Sequence, residues 1–146
     1  MVGPYGYCAD ISRTLFCEPG VPSARQRRLY GAAAEQVAHN CDLLKPGRSF
    51  REFGELAWKI PSRYFEQNYG CLLHGVGMVD EWPAIGCDPR DPLAQEGVFV
   101  PGMTVCVESY IGETGGGEGV KLEQQVLITD TGHEILSRFP LESGLL

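Results

Sequence analysis

The sequence predicts an α+β fold in which helices precede an antiparallel sheet. Residues 23–60 carry apolar side chains at helical spacing, whereas residues 71–137 form short apolar runs separated by glycine and proline. Because helices and strands do not alternate regularly, we do not expect a parallel α/β sheet. The chain has 146 residues, 43% of them hydrophobic, which suits one domain with a substantial core.

The first predicted element is a strand over residues 5–16. This segment is rich in aromatic and β-favouring residues and is followed by the turn sequence Glu18-Pro19-Gly20. We interpret it as the second half of a hairpin. Its partner strand would precede Met1, so we expect the chain to begin inside a domain.

Two helices are predicted next. Ser23 can cap a helix that extends to about residue 44, where Lys45-Pro46-Gly47 ends it. Ser49 and Glu52 then form a capping box for a second helix that extends to Pro61. The apolar face of the first helix consists of Leu29, Ala33, Val37, Cys41 and Leu44. That of the second consists of Phe53, Leu56, Ala57 and Ile60.

Four strands are predicted beyond the helices, at residues 71–74, 104–111, 120–129 and 133–137. A loop is expected from His74 through Pro92, and Asp130-Thr131-Gly132 forms a tight turn before the last strand. The three glycines at 115–117 connect the two central strands. They lack the Lys-Ser/Thr pair and the helix of a phosphate-binding loop, so we interpret them as a flexible connector.

The composition argues against several classes of function. The 19 acidic residues outnumber the 12 basic ones and give a formal charge of −7, which disfavours a nucleic-acid-binding surface. No apolar run approaches the ~20 residues of a membrane span. The six cysteines are dispersed and no export signal is present. We therefore expect reduced, buried thiols in a cytoplasmic protein that binds neither nucleic acid nor membrane.

Four polar side chains fall within apolar strand sequences, where they are predicted to be partly buried: Asp10, His74, Glu108 and Glu123. Burying an unpaired carboxylate costs free energy, so each needs a partner. Four arginines could pair with some of them: Arg13, Arg63, Arg90 and Arg138. Alternatively, all four polar residues converge on divalent cations, which carboxylate oxygens and one imidazole can bind. The spacing alone leaves both interpretations open.

The order of these four residues resembles that of the pita-bread metallohydrolases, the creatinase and methionine aminopeptidase superfamily. Residues 7–14 resemble the strand that carries the superfamily's second aspartate, and residues 74–77 resemble its histidine loop. Residues 101–108 resemble the strand of its first glutamate, and residues 119–123 that of its last glutamate. The resemblance implies a curved antiparallel sheet backed by helices and a site with two metal ions. It also implies the ligands Asp10, His74, Glu108 and Glu123.

This resemblance makes residues 1–146 the C-terminal catalytic domain of a larger member, incomplete at its N-terminus. The N-terminal domain and the first metal-ligand strand would be absent. Asp10, Glu108 and Glu123 supply about three negative charges against about four positive charges of two divalent ions. The first aspartate of the superfamily would fall just before Met1, so we expect little activity from this chain alone.

The loop after His74 differs from that of the superfamily's peptidases, which carry a second histidine that steadies the tetrahedral intermediate. Here the sequence of residues 78–83 is Met-Val-Asp-Glu-Trp-Pro. An acid can act as a base but, as an anion, cannot donate a hydrogen bond to an oxyanion. His39 and His133 are expected to be solvated. This loop and residues 3–13 are similar to those of dimethylsulfoniopropionate lyases of the DddP type.

That similarity implies the elimination of dimethyl sulfide from dimethylsulfoniopropionate, leaving acrylate. It implies Asp80 as the catalytic base and Tyr69 as a pocket residue, and Trp82 could also face the sulfonium cation. Glu81 is an alternative base, Trp82 is alternatively a packing aromatic, and Tyr69 is alternatively a turn residue.

The same similarity favours iron, although zinc, manganese and cobalt suit the ligands too, and it suggests a homodimer. We expect Arg13 to pair with an acidic ligand. A Xaa-Pro type metallopeptidase and a non-catalytic pita-bread binding module are the alternative functions.

Overall fold

A computed structural model describes residues 1–87 and 96–146. These residues form one antiparallel sheet with helices packed against it, so the predicted α+β class is confirmed. The helices are α1 (Ala24–Asp42) and α2 (Phe50–Leu56). The strands are β1 (Gln67–Asn68), β2 (Cys71–Val76), β3 (Asp80–Gly86), β4 (Thr104–Gly112), β5 (Gly119–Ile128) and β6 (His133–Ile135).

The long strands β4 and β5 form the centre of the sheet. The strand order is β3-β2-β4-β5-β6, and β1 pairs with β4 beyond the end of β2. Pairing of β4 with β5 runs without a register shift from Thr104 opposite Leu127 to Gly112 opposite Gly119. Residues opposite each other in this pair therefore keep to a common face along its whole length.

Helix α1 covers one face of β4 and β5. Its predicted apolar face is buried, and it meets alternate residues of the two strands, among them Val105, Val107, Val120 and Leu122. Gln36 lies within this contact and its amide oxygen accepts a hydrogen bond from the Ser109 hydroxyl at 2.6 Å. This side of the sheet is the hydrophobic core.

The helix starts agree with prediction, but α2 ends earlier than expected. Ser23 caps α1 and exchanges hydrogen bonds with Gln26, while the Ser49 hydroxyl accepts from the Glu52 amide. Helix α2 stops at Leu56 because the next residue is extended and the Trp58 amide donates to the Asn40 side chain of α1 instead of to a helical carbonyl. Leu56 is consequently 47% exposed.

The predicted strand over residues 5–16 is wrong. Pro4–Gly6 forms a 3-10 turn, and the following chain runs extended beside β5 without a regular ladder. The Glu123 amide donates to the Ser12 carbonyl, and the Thr14 hydroxyl bonds both the amide and the carbonyl of Lys121. Isolated backbone and side-chain hydrogen bonds thus hold this segment to β5 in place of the regular ladder of a strand.

The predicted loop from His74 to Pro92 is wrong in its first part. Strand β2 continues to Val76, and residues 80–86 form β3 at the edge of the sheet. Pro83 disfavours a central strand but is tolerated at an edge, where its missing N–H needs no partner. The rest of the predicted loop lies largely outside the described residues.

Composition predicted reduced, buried thiols and no membrane-spanning segment. All six thiols are free, but the expected burial is wrong for four of them, since only Cys41 and Cys106 are buried and Cys17 is exposed. Within residues 1–87 and 96–146, no helix is long and apolar enough to cross a membrane.

Candidate metal centre

The face of the sheet opposite α1 carries polar side chains from three neighbouring strands. Glu108 on β4 lies opposite Glu123 on β5, and His74 on β2 lies opposite Cys106 on β4. Opposed residues of antiparallel strands project from the same face, as do alternate residues of one strand. These four side chains therefore share one face, and Glu108 and Glu123 are buried there.

The polar side chains meet around the imidazole of His74. Its Nε2 atom is 3.2 Å from a Glu108 oxygen and 3.6 Å from a Glu123 oxygen. Asp10 joins them from the N-terminal segment, and the ligand atoms of Asp10, His74, Cys106 and Glu123 all lie within 4.8 Å of one another. The structure thus brings together the four polar residues singled out in the sequence.

The hydrogen bonding of His74 suits a metal ligand. Its Nδ1 atom is 2.9 Å from the Gly75 carbonyl oxygen, which can only accept, so Nδ1 carries a proton. Nε2 faces two carboxylates, so it donates a hydrogen bond to Glu123 when protonated, and its lone pair would bind a divalent cation held between those carboxylates. The hydrogen bond with Glu123 raises the pKa of His74, although burial opposes it. The donor set fits a divalent metal ion.

Glu123 is held in its ionised form. Burial by itself would raise its pKa, but hydrogen bonds from His74 and the Ser12 hydroxyl, together with the charge of Lys121, outweigh burial and lower it. The Ser12 hydroxyl donates to Oε2 of Glu123 at 2.7 Å, which leaves Oε1 directed at His74. The N-terminal segment therefore orients this carboxylate as well as supplying Asp10.

Arg13 does not make the acidic pair expected of it. Its guanidinium donates to the main-chain oxygen of Glu123 at 2.5 Å and to the side-chain oxygen of Gln124 at 2.8 Å. It therefore fixes the N-terminal segment to β5 without neutralising the Glu123 carboxylate. Among the other arginines considered, Arg63 lies over the ring of Tyr64, and Arg90 is outside the described residues.

Sequence reasoning missed two residues of the centre, Cys106 and Lys121. Cys106, interpreted as a core thiol, is buried on the polar face, where burial and then the charges of Glu123 and Asp10 raise its pKa. The Lys121 ammonium forms an ion pair with Oε2 of Glu108. Each stands two positions before a glutamate, so strand alternation already placed both on the polar face.

The residues predicted to act on substrate lie at the edge of the centre. Asp80, at the start of β3, has an oxygen 4.0 Å from His74 Nδ1, and its side chain is 79% exposed. The Tyr69 ring is half-exposed, and the Lys121 ammonium lies over it, 4.4 Å from the ring centroid. The Trp82 ring meets the Phe50 ring edge-on, with centroids 4.7 Å apart. The side chain of Glu81 is outside the described part of the structure.

Comparison with known proteins identifies the family. Residues 1–130 match Metallopeptidase family M24. The chain belongs to metallopeptidase family M24. Members of family M24 bind divalent metals, and the cluster around His74 offers suitable ligand groups.

Relatives of this M24 chain include proteins of two different activities. It is 39% identical over 147 residues to "Dimethylsulfoniopropionate lyase DddP" of Roseovarius nubinhibens, covering 100% of this chain and 33% of the relative. It is 33% identical over 137 residues to a Xaa-Pro dipeptidase of Pyrococcus furiosus, covering 90% of this chain and 36% of that protein. The predicted resemblance to DddP-type lyases is confirmed.

The M24 fold is also seen in a solved structure, a prolidase from Pyrococcus furiosus. It superposes with a TM-score of 0.76 at 31% identity, over 93% of this chain and 39% of the prolidase. The predicted pita-bread fold is confirmed. The chain spans about a third of the length of the curated relatives it matches, 33% and 36% in the two cases above.

Proposed function

We propose that this chain contributes to a metal-dependent lyase that cleaves dimethylsulfoniopropionate to dimethyl sulfide and acrylate. The observation that carries the proposal is the exposed carboxylate of Asp80, at the start of β3, with an oxygen 4.0 Å from Nδ1 of the His74 ring. The 39% identity with a dimethylsulfoniopropionate lyase over the whole chain supports it.

Asp80 is proposed as the base of an elimination. Its carboxylate takes a proton from the carbon next to the substrate carboxylate. The electrons of that C–H bond form the carbon–carbon double bond of acrylate, and the C–S bond of the neighbouring carbon breaks. Dimethyl sulfide leaves with the electron pair of that bond. Because Asp80 is 79% exposed and at the mouth of the centre, a substrate can approach it from solvent.

We propose Asp10, His74, Glu108 and Glu123 as metal ligands, with two ions in the whole protein and iron as the favoured metal. When bound, a divalent metal polarises the substrate carboxylate and stabilises the negative charge that develops beside it. The donors also suit zinc, manganese or cobalt. A cytoplasmic homodimer is part of the same proposal.

The second candidate function is hydrolysis of Xaa-Pro dipeptides. The likeness to a Xaa-Pro dipeptidase and to a prolidase favours it. An amide hydrolase needs a donor for the oxyanion, and the two histidines outside the centre are engaged elsewhere. His39 bonds the Leu56 carbonyl and His133 bonds the Leu44 carbonyl. This engagement argues for the lyase, and the presence of all four proposed ligands argues against a non-catalytic module.

The test is a direct comparison of the two reactions. The metal-loaded whole protein is incubated with dimethylsulfoniopropionate, and dimethyl sulfide is measured by headspace gas chromatography. A parallel incubation with a Xaa-Pro dipeptide is analysed for free proline. We expect dimethyl sulfide and no proline. Release of proline without dimethyl sulfide would replace the lyase by the dipeptidase.

A further inference from the structure

Lys121 links the metal centre to the aromatic residue at its edge. Its ammonium pairs with Oε2 of Glu108, whose other oxygen faces His74, and lies 4.4 Å from the centroid of the Tyr69 ring. The backbone of Lys121 is fixed on both sides by the Thr14 hydroxyl. The fold therefore fixes the backbone of Lys121, and its side chain is 30% exposed.

The Tyr69 ring already has a cation on its face. A cationic group of a substrate would have to share that face with Lys121, and two cations on one ring repel each other. The Trp82 ring packs one edge against Phe50 and Gly97 and is otherwise 56% exposed, so it does not enclose a cation. The side of the centre next to Tyr69 is therefore unsuited to a sulfonium group.

The same side suits an anion. An ammonium has three N–H donors, and the ion pair with Glu108 uses one of them. Because the side chain is partly exposed, a carboxylate that arrives from solvent can reach the remaining N–H groups of Lys121. Hydrogen bonds between ions are stronger than those between neutral groups.

The two edges of the His74 ring face different groups. Its Nε2 edge faces the carboxylates of Glu108 and Glu123, with the Lys121 ammonium paired to Glu108, whereas its Nδ1 edge faces the Asp80 carboxylate at 4.0 Å. A small zwitterion matches this arrangement when its anionic end approaches Lys121 and its cationic end approaches Asp80.

We propose that Lys121 binds the substrate carboxylate and thereby sets the direction in which a zwitterionic substrate enters. This proposal rests on the proposed lyase function only for the identity of the zwitterion. Lys121 is a specificity-determining residue in this scheme, and Tyr69 positions its ammonium.

The test separates the two charged ends of the substrate by using propionate and trimethylsulfonium as probes. Their dissociation constants are measured by calorimetric titration of the purified protein and of Lys121→Met, Lys121→Arg and the surface control Lys45→Met. We expect Lys121→Met to bind propionate about tenfold more weakly and trimethylsulfonium as well as the parent or better. Lys121→Arg and Lys45→Met should keep most of the propionate affinity.

Several results would overturn the proposal. The first is an unchanged affinity of Lys121→Met for propionate. The second is an equal loss of affinity for both probes, which would indicate a structural role. The third is failure of the parent protein to bind propionate. Lys121→Gln takes the place of Lys121→Met if the latter does not fold. If propionate binding depends on Lys121 but no dimethyl sulfide is released, the lyase proposal fails and this one stands. If dimethyl sulfide is released but Lys121→Met binds propionate as tightly as the parent, this proposal fails and the lyase stands.

Discussion

On the face of β4 and β5 that packs on α1, side chains such as Val107 and Leu122 are buried among other apolar groups, whereas the opposite face buries Glu108 and Glu123. A fully buried Leu or Val contributes about 1.5–3 kcal/mol without any partner of opposite charge. Buried carboxylates instead need a cation, and here Lys121 and His74 surround them. The apolar face accounts for the fold, and the polar face is arranged for binding.

The largest expected effect separates chemistry from folding on the polar face. Asp80→Asn in the whole protein should reduce release of dimethyl sulfide by about 10²–10⁴-fold, because the amide cannot accept the proton. The unfolding free energy should stay close to that of the parent, since the side chain is 79% exposed. The matched control Asp42→Asn, at the exposed end of α1, should leave the rate unchanged. Undiminished release in Asp80→Asn would remove this residue from its proposed role.

The second prediction concerns a substitution on the apolar face of β5 that leaves the side chains of the polar face unchanged. Leu122 lies between Lys121 and Glu123 in sequence but points to the core. Leu122→Ala should lower the free energy of unfolding in urea by about 2–5 kcal/mol, the cost of a cavity in a packed core. Leu56→Ala, at a position 47% exposed, should cost much less. An equal loss of unfolding free energy in the two variants would show that burial of Leu122 against α1 does not determine stability.

The apolar face could be predicted from the sequence because its signals are local. The spacing of Leu29, Ala33, Val37 and Cys41 determines which side of α1 is buried, and Ser23 determines where the helix begins. The end of α2 could not be found this way. It depends on Asn40, which lies on another helix and captures the Trp58 amide.

Four residues of the polar face could be predicted from the sequence, but Cys106, Lys121 and the pairing of the side chains could not. Alternation and the order of four residues indicated Asp10, His74, Glu108 and Glu123, and for a side-chain partner of these carboxylates only arginines were considered, as the alternative to metal ions. The structure gives that place to Lys121, two residues from Glu123 along β5. Which cation reaches a carboxylate is decided by the residues that lie opposite each other in β4 and β5, and no single stretch of the sequence states that pairing. Strand β3 was not predicted because Pro83 argues against a central strand, and the sequence does not show that this segment lies at the edge of the sheet, where proline is tolerated.

The third prediction tests whether the N-terminal segment supports the metal centre. The Ser12 hydroxyl donates to Glu123 Oε2 at 2.7 Å, so Ser12→Ala removes the contact that orients this carboxylate. Affinity for Mn²⁺, measured by calorimetry, should fall by about 10- to 100-fold, as is typical when a partner of a ligand is lost. The exposed Ser143→Ala is the control. The same affinity in both variants would show that Glu123 needs no support from Ser12.

The smallest predicted effect concerns the pH dependence of the apolar face. Burial raises the pKa of Cys41 from 9.0 to about 12. The folded state therefore keeps its proton while the unfolded chain loses it, so the contribution of Cys41 is complete below pH 9 and is lost as the pH rises toward 12. Between about pH 9 and pH 10 the unfolding free energy should fall by about 1 kcal/mol more in the parent than in Cys41→Ala. Urea unfolding at the two pH values measures this difference, and other titrating groups cancel because both proteins share them. Parallel losses in the two proteins would mean that water reaches Cys41 and that α1 does not seal this face of the sheet from solvent.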